Sequence, residues 1–113
     1  MPRGPSTPWG TADHVYKLTR GLRWVSTSGH GGLAVARGLA DKKLTPTARK
    51  FGILQNGYYW YEEDIAWTIP CFEVPEWTTL LTQSTGADLV TQETLKADVE
   101  RWFPQYFESA SPS

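Results

Sequence analysis

Turn-forming residues at Arg20-Gly21 and again across Ser28–Gly32 cut the chain between Asp13 and Ala36 into short apolar runs. Such runs suit strands: His14–Leu18, then Leu22–Thr27, then Leu33–Ala36. Consecutive short strands joined by tight turns form an antiparallel meander. Beyond it the texture changes. Arg37–Gln55 is polar, with a helical turn expected at Arg37–Lys43 and another after Thr45-Pro46, where Thr caps and Pro fits the first turn. Asn56-Gly57 marks a turn. Ile65, Ile69 and Phe72 follow at helical spacing, with Pro70 expected to kink or delimit that helix. Thr78–Gly86 reads as a loop or short turn. Thr91 caps the clearest helix, whose apolar face is Leu95, Val99, Trp102 and Phe103 and which stops at Pro104. The fold class expected is α+β: a small antiparallel meander of about three strands packed against two or three helices. Residues 1–8 are read as a flexible arm, 9–107 as one globular domain, and 108–113 as a flexible tail.

A chain of 113 residues suffices for one core without a covalent staple. One cysteine, Cys71, excludes an internal disulfide and a cysteine-based zinc site, and fits a reducing compartment. Met1–Pro5 lacks the apolar stretch of a signal peptide, and no run is long and apolar enough to span a membrane. A soluble cytoplasmic protein is expected. Net charge is −1, but the halves differ. Residues 1–50 carry nine Lys/Arg against two Asp, a balance of +7; residues 51–113 carry two against ten acids, a balance of −8. The halves neutralise each other within or between molecules, or the basic half offers a face to phosphate. Duplex DNA is not expected from so modest a charge.

Val25–Gly32 is the stretch that most resembles a site. Glycines let successive N–H groups converge on one point, and Ser26, Thr27, Ser28 and His30 add donors and acceptors. The complete motifs are missing. There is no phosphate-binding P-loop, and Gly29–Ala34 matches the dinucleotide fingerprint only in its Ala-ended form, without the βαβ unit that fold needs. His30-Gly31-Gly32 resembles an esterase oxyanion loop, yet no Gly-x-Ser-x-Gly elbow accompanies it. His14, His30, Glu62, Glu63 and Asp64 could supply metal ligands, but without a spacing signature; three carboxylates at a helix start also complement its free N–H groups.

Six Trp, five Tyr and four Phe are many for this length. Trp24, Trp67, Trp102 and Phe103 suit core positions. Tyr58–Tyr61 cannot all face inward if extended, since alternate residues face opposite sides. Aromatic faces stack on bases, Arg grips phosphate, and carboxylates accept from ribose hydroxyls or base amines.

Trp9-Gly10-Thr11-Ala12, then Val25–Gly32, then Tyr61-Glu62-Glu63-Asp64 with Trp67, resemble a family of small domains found in phages, prophages and plasmids. The resemblance runs from about Trp9 to Phe107, with Tyr58–Trp60 an addition to its pattern. It implies a mobile-element protein, a class in which counter-defence factors are common. The expected function is therefore non-enzymatic: binding and sequestering a small phosphorylated, nucleotide-type immune signal. Ser26, Thr27, Ser28, Gly31 and Gly32 would hold phosphate or ribose with His30 as donor, and Arg37 would neutralise charge. Trp9 and Tyr61 would stack, while Glu62, Glu63 and Asp64 would read polar edges. No cofactor and no bound metal are expected. A homo-oligomer is, since a small chain of split charge can self-associate. The alternatives are a protein–protein inhibitor of a host defence complex, of anti-CRISPR or anti-restriction type, and a metal-dependent hydrolase of a nucleotide signal.

Overall fold

The structure, a computed structural model, describes residues 6–86 and 90–110. Two short strands, β1 (Ser6–Thr7) and β2 (Gly10–Thr11), form a hairpin. The main sheet is antiparallel and has five strands: β3 (His14–Thr19), β4 (Leu22–Ser26), β5 (Gly31–Ala36), β6 (Ile53–Gln55) and β7 (Tyr58–Glu62), in the order β3-β4-β5-β7-β6. The helices are α1 (Arg37–Lys43), α2 (Pro46–Lys50), α3 (Thr68–Glu73), α4 (Pro75–Thr85), α5 (Gln92–Trp102) and α6 (Pro104–Ala110).

The α+β class and the meander β3-β4-β5 are as the sequence predicts. The strand count is larger than the expected three. Asn56-Gly57 is a hairpin turn, with both residues at positive φ (55° and 81°), the backbone that a two-residue connection between twisted strands requires. It folds β7 back on β6 and also places β7 beside β5, so the aromatic run becomes an inner strand. Ser6 and Thr7, expected within a loose arm, are paired, and residues 108–110, expected in a tail, lie in α6.

The helical half shows where local propensity yields to packing. Thr45 caps α2 and Thr91 caps α5, each hydroxyl accepting from a backbone N–H three residues on. Pro70 neither kinks nor ends α3: it occupies the first turn, where no N–H is needed. Residues 78–85, expected as a loop, belong to α4. Its threonines are weak helix formers, but buried Trp77 and Leu81 hold the helix against the rest of the fold. Gly86, at φ 76°, ends it in left-handed geometry. Trp102, expected in the core, is 56% exposed, because α5 buries Leu95 and Val99 instead. Pro104 ends α5 and opens α6, whose buried Tyr106 donates to Glu73 (2.5 Å).

Strand register assigns the two faces of the sheet. Trp24, Leu33 and Tyr61 stand in one cross-strand row towards the helices, with Leu22, Val35 and Tyr59 in the next. That face builds the main core with Ile69, Trp77, Leu95 and Val99. The opposite face carries a smaller cluster of Val25, Ala34 and Trp60, covered by Ala12 and Trp9 from the N-terminal segment.

Candidate functional site

The tip between β4 and β5 is closed on itself. The Thr27 N–H and hydroxyl both donate to the His30 carbonyl (2.7 and 2.8 Å), and the His30 N–H donates back to the Thr27 hydroxyl (3.1 Å). Two of the backbone donors that a phosphate would need are thereby spent. Ser28, Gly29 and the His30 side chain remain exposed. Gly31 and Gly32, expected in the loop, are strand residues, and close approach explains their lack of a side chain. A β-carbon on Gly32 would overlap the Tyr61 carbonyl and stand 2.7 Å from the Trp9 ring; one on Gly31 would stand 2.6 Å from the Val25 carbonyl.

The other predicted ligand contacts separate. Tyr61 is fully buried and donates to the Ala48 carbonyl (2.7 Å), so its ring cannot stack on a ligand. Burial, above all, raises its hydroxyl pKa, with the Glu73 charge adding to the effect. Glu62 caps the turn that follows β7: its carboxylate accepts from the N–H groups of Asp64 (2.7 Å), Ile65 (3.0 Å) and Ala66 (2.9 Å). Burial works to raise the Glu62 pKa, but those three donors outweigh it and hold the carboxyl below its usual value. Trp9 lies on the far face, edge-on to Trp60 at 5.9 Å between ring centroids. Arg37 follows the other end of β5, its N–H donating to the Gly57 carbonyl (2.9 Å); the strand from Gly31 to Ala36 that separates it from the tip is about 17 Å long. Asp64 is exposed beside Ile65 and Trp102. Ser26, Gly31 and Glu63 do share one row on the helix face.

Metal ligation is not assembled. Among the described residues no three His, Cys, Asp or Glu side chains are placed to hold one ion. His14 sits in the row of Ser26, Gly31 and Glu63 and stacks on Tyr16, but three strand spacings put its backbone about 14 Å from that of Glu63.

The open space on this face is a cleft of about 340 Å³ between the end of the sheet and α4. Trp24 and Trp67 form one wall, edge-to-face with centroids 6.2 Å apart. Thr78, Leu81 and Thr82, on one face of α4, form the other, and Glu63 stands at the rim. Among the described residues, neither indole N–H nor the Glu63 carboxylate has a hydrogen-bond partner. Thr78 is 4% exposed, and its hydroxyl is buried without a partner among the described residues. The Cys71 thiol is its polar neighbour but does not meet it with hydrogen-bond geometry; burial pushes that thiol up to about 12, and Thr78 pulls it the other way by less. A thiol so placed is a poor nucleophile. Aromatic walls, one carboxylate and spare donors can hold a small polar molecule; they do not supply a paired acid and base.

The sequence signal for this cleft was Thr78, Thr82 and Thr85 at helical spacing, hidden by the loop reading of 78–86. The family profile described as a domain of unknown function, DUF7007, matches residues 2–112, all but the first and last residue. The chain belongs to that family. No curated protein and no solved structure matches it. In this DUF7007 domain the family match spans the hairpin, the sheet and the six described helices together, so the cleft lies wholly within the matched region. Among the described residues no helix is long and apolar enough to cross a membrane.

Proposed function

We propose that the protein is a non-enzymatic binding domain that sequesters a small ligand in the cleft beside α4. The observation that carries this reading is the set of polar groups there with no hydrogen-bond partner among the described residues: two indole N–H donors, the Glu63 carboxylate and the buried Thr78 hydroxyl, in a cleft that is otherwise mostly apolar. A planar heterocycle with an amine or hydroxyl donor fits such walls. It would stack or edge against Trp24 and Trp67 and donate to Glu63. This is the base and sugar portion of a nucleotide-type signal; the lining residues include no cation for its phosphate. Counter-defence in a mobile element, and self-association of the domain, belong to the same proposal and are supported by the sequence resemblance and the charge split.

Native mass spectrometry of freshly purified protein, followed by heat release and chromatography, tests the reading and counts the subunits. Recovery of an intact small molecule, weakened by Glu63→Gln and by Thr82→Val but within twofold of the parent in His30→Ala, is the expected result. Loss of binding in His30→Ala with Glu63→Gln unaffected would return the site to the tip. Chemically altered ligand would make the protein an enzyme. A protein–protein inhibitor is favoured by one feature, the exposed Trp102 beside Asp64 and Ile65. Copurification of a host protein lost in Trp102→Ala, with no small molecule bound, would decide for it.

A further inference from the structure

The end of the sheet remote from the cleft holds a groove of about 430 Å³ whose lining includes Arg20 and Lys42. It forms where the β3–β4 turn meets the start of α1. The Ala36 N–H donates to the Gly21 carbonyl (2.7 Å), which pins Arg20-Gly21 against Ala36-Arg37. Gly21, at φ 83°, makes the turn tight, and nothing lies within 4 Å of where a Gly38 β-carbon would stand. Backbone is therefore bare between the cations. Gly38 and Lys42 are four residues apart and share one face of α1. The single acid of α1, Asp41, is directed to α2, where its carboxylate lies 3.8 Å from Arg49. Arg23 is also occupied elsewhere, over the Tyr58 ring at 5.3 Å. Among the described residues no carboxylate lines the groove.

We propose that this groove is a binding site for a phosphate oxyanion, held by Arg20 and Lys42. A guanidinium and an ammonium group lining one partly concave surface favour an anion with several acceptor oxygens. The groove lies beside Ala36, whereas the cleft begins at Trp24, paired with Leu33, and reaches Glu63 beside Gly31, about 10–17 Å away along β5. The groove therefore serves a second molecule or a second group, and this inference does not rest on the cleft.

The test is an amide chemical-shift titration of the full chain with inorganic phosphate, at ionic strength held constant with chloride. Saturable shifts centred on Gly21, Gly38 and Leu39 are expected. The Arg20→Ala/Lys42→Ala variant should weaken the affinity by about tenfold or more, while Lys96→Ala on α5 leaves it unchanged. Glu63→Gln should also leave it unchanged, which separates this site from the cleft. A nucleoside monophosphate and a short single-stranded oligonucleotide distinguish a monoester source from a diester source; saturable binding of either at these amides supports the site. Shifts reproduced by chloride alone, or equally strong in the Arg20/Lys42 variant, would overturn it. Both side chains lie at the surface, and amide dispersion reports that the variants fold.

Discussion

The β4–β5 tip and the α4 cleft lie at the same end of one sheet, yet they spend their polar groups in opposite ways. At the tip, Thr27 and His30 satisfy one another through three hydrogen bonds, and nearby Glu62 satisfies three N–H groups of the turn after β7. In the cleft, neither the buried Thr78 hydroxyl nor the Glu63 carboxylate has a hydrogen-bond partner among the described residues. A group already paired contributes to the fold; replacing its partner with a ligand gains little. A polar group left over is what a ligand can exploit. The comparison teaches that residual hydrogen-bond capacity, more than a concentration of polar residue types, marks the candidate site.

Substitutions can break or sharpen this contrast. The largest effect should come from Gly32→Ala. Its β-carbon meets the Trp9 ring and the Tyr61 carbonyl, and the carbonyl cannot move without parting β5 from β7, so a loss of about 3 kcal/mol is expected in chemical denaturation. Gly29→Ala, in open space, should change stability by less than about 0.5 kcal/mol. Equal tolerance at both positions would remove the packing account of the glycines.

Next in size is Glu62→Gln, expected to cost about 1–2 kcal/mol near neutral pH through the weakened cap. The depressed Glu62 pKa fixes the sign of the pH dependence. Its contribution is fully present above the ordinary carboxyl range and is lost as pH falls through the lower folded-state pKa. Parent and variant should therefore converge in stability as the solution is acidified. Parallel curves across that acidic window would show that the carboxylate charge is not what the cap uses.

A smaller effect than either loss has the opposite sign. Thr78→Val removes an unsatisfied buried hydroxyl at nearly constant volume and should stabilise the protein by about 1 kcal/mol, while weakening whatever ligand the cleft takes. Destabilisation would mean that the hydroxyl has a partner in solution, such as water.

The legible parts of the fold were those decided locally. The turns at Arg20-Gly21 and Asn56-Gly57, the caps at Thr45 and Thr91, and the short strands of the meander follow from neighbours a few residues apart. The place of β7 does not, because its pairing with β5 joins residues such as Leu33 and Tyr61 across two intervening helices. Tyr61 and Glu62 were conspicuous by type, but a donor bond to the Ala48 carbonyl and a cap to three amides are long-range or conformational facts that residue type does not carry. Residues 78–85 show the converse: their threonines argue against a helix until Trp77 and Leu81 are buried.

Glu73 has a consequence for how the molecule comes apart. Its carboxylate accepts from the Thr45 N–H and hydroxyl (2.9 and 2.6 Å) and from the Tyr106 hydroxyl (2.5 Å), partners 28 residues before it and 33 after it. One side chain thus closes two long chain loops at once. Terminal helices commonly fray ahead of global unfolding. Here, freeing α6 would take one of three donors from the Glu73 carboxylate, the same group that braces the entry to α2 through Thr45. The C-terminal helix and the middle of the chain should therefore melt as one cooperative unit.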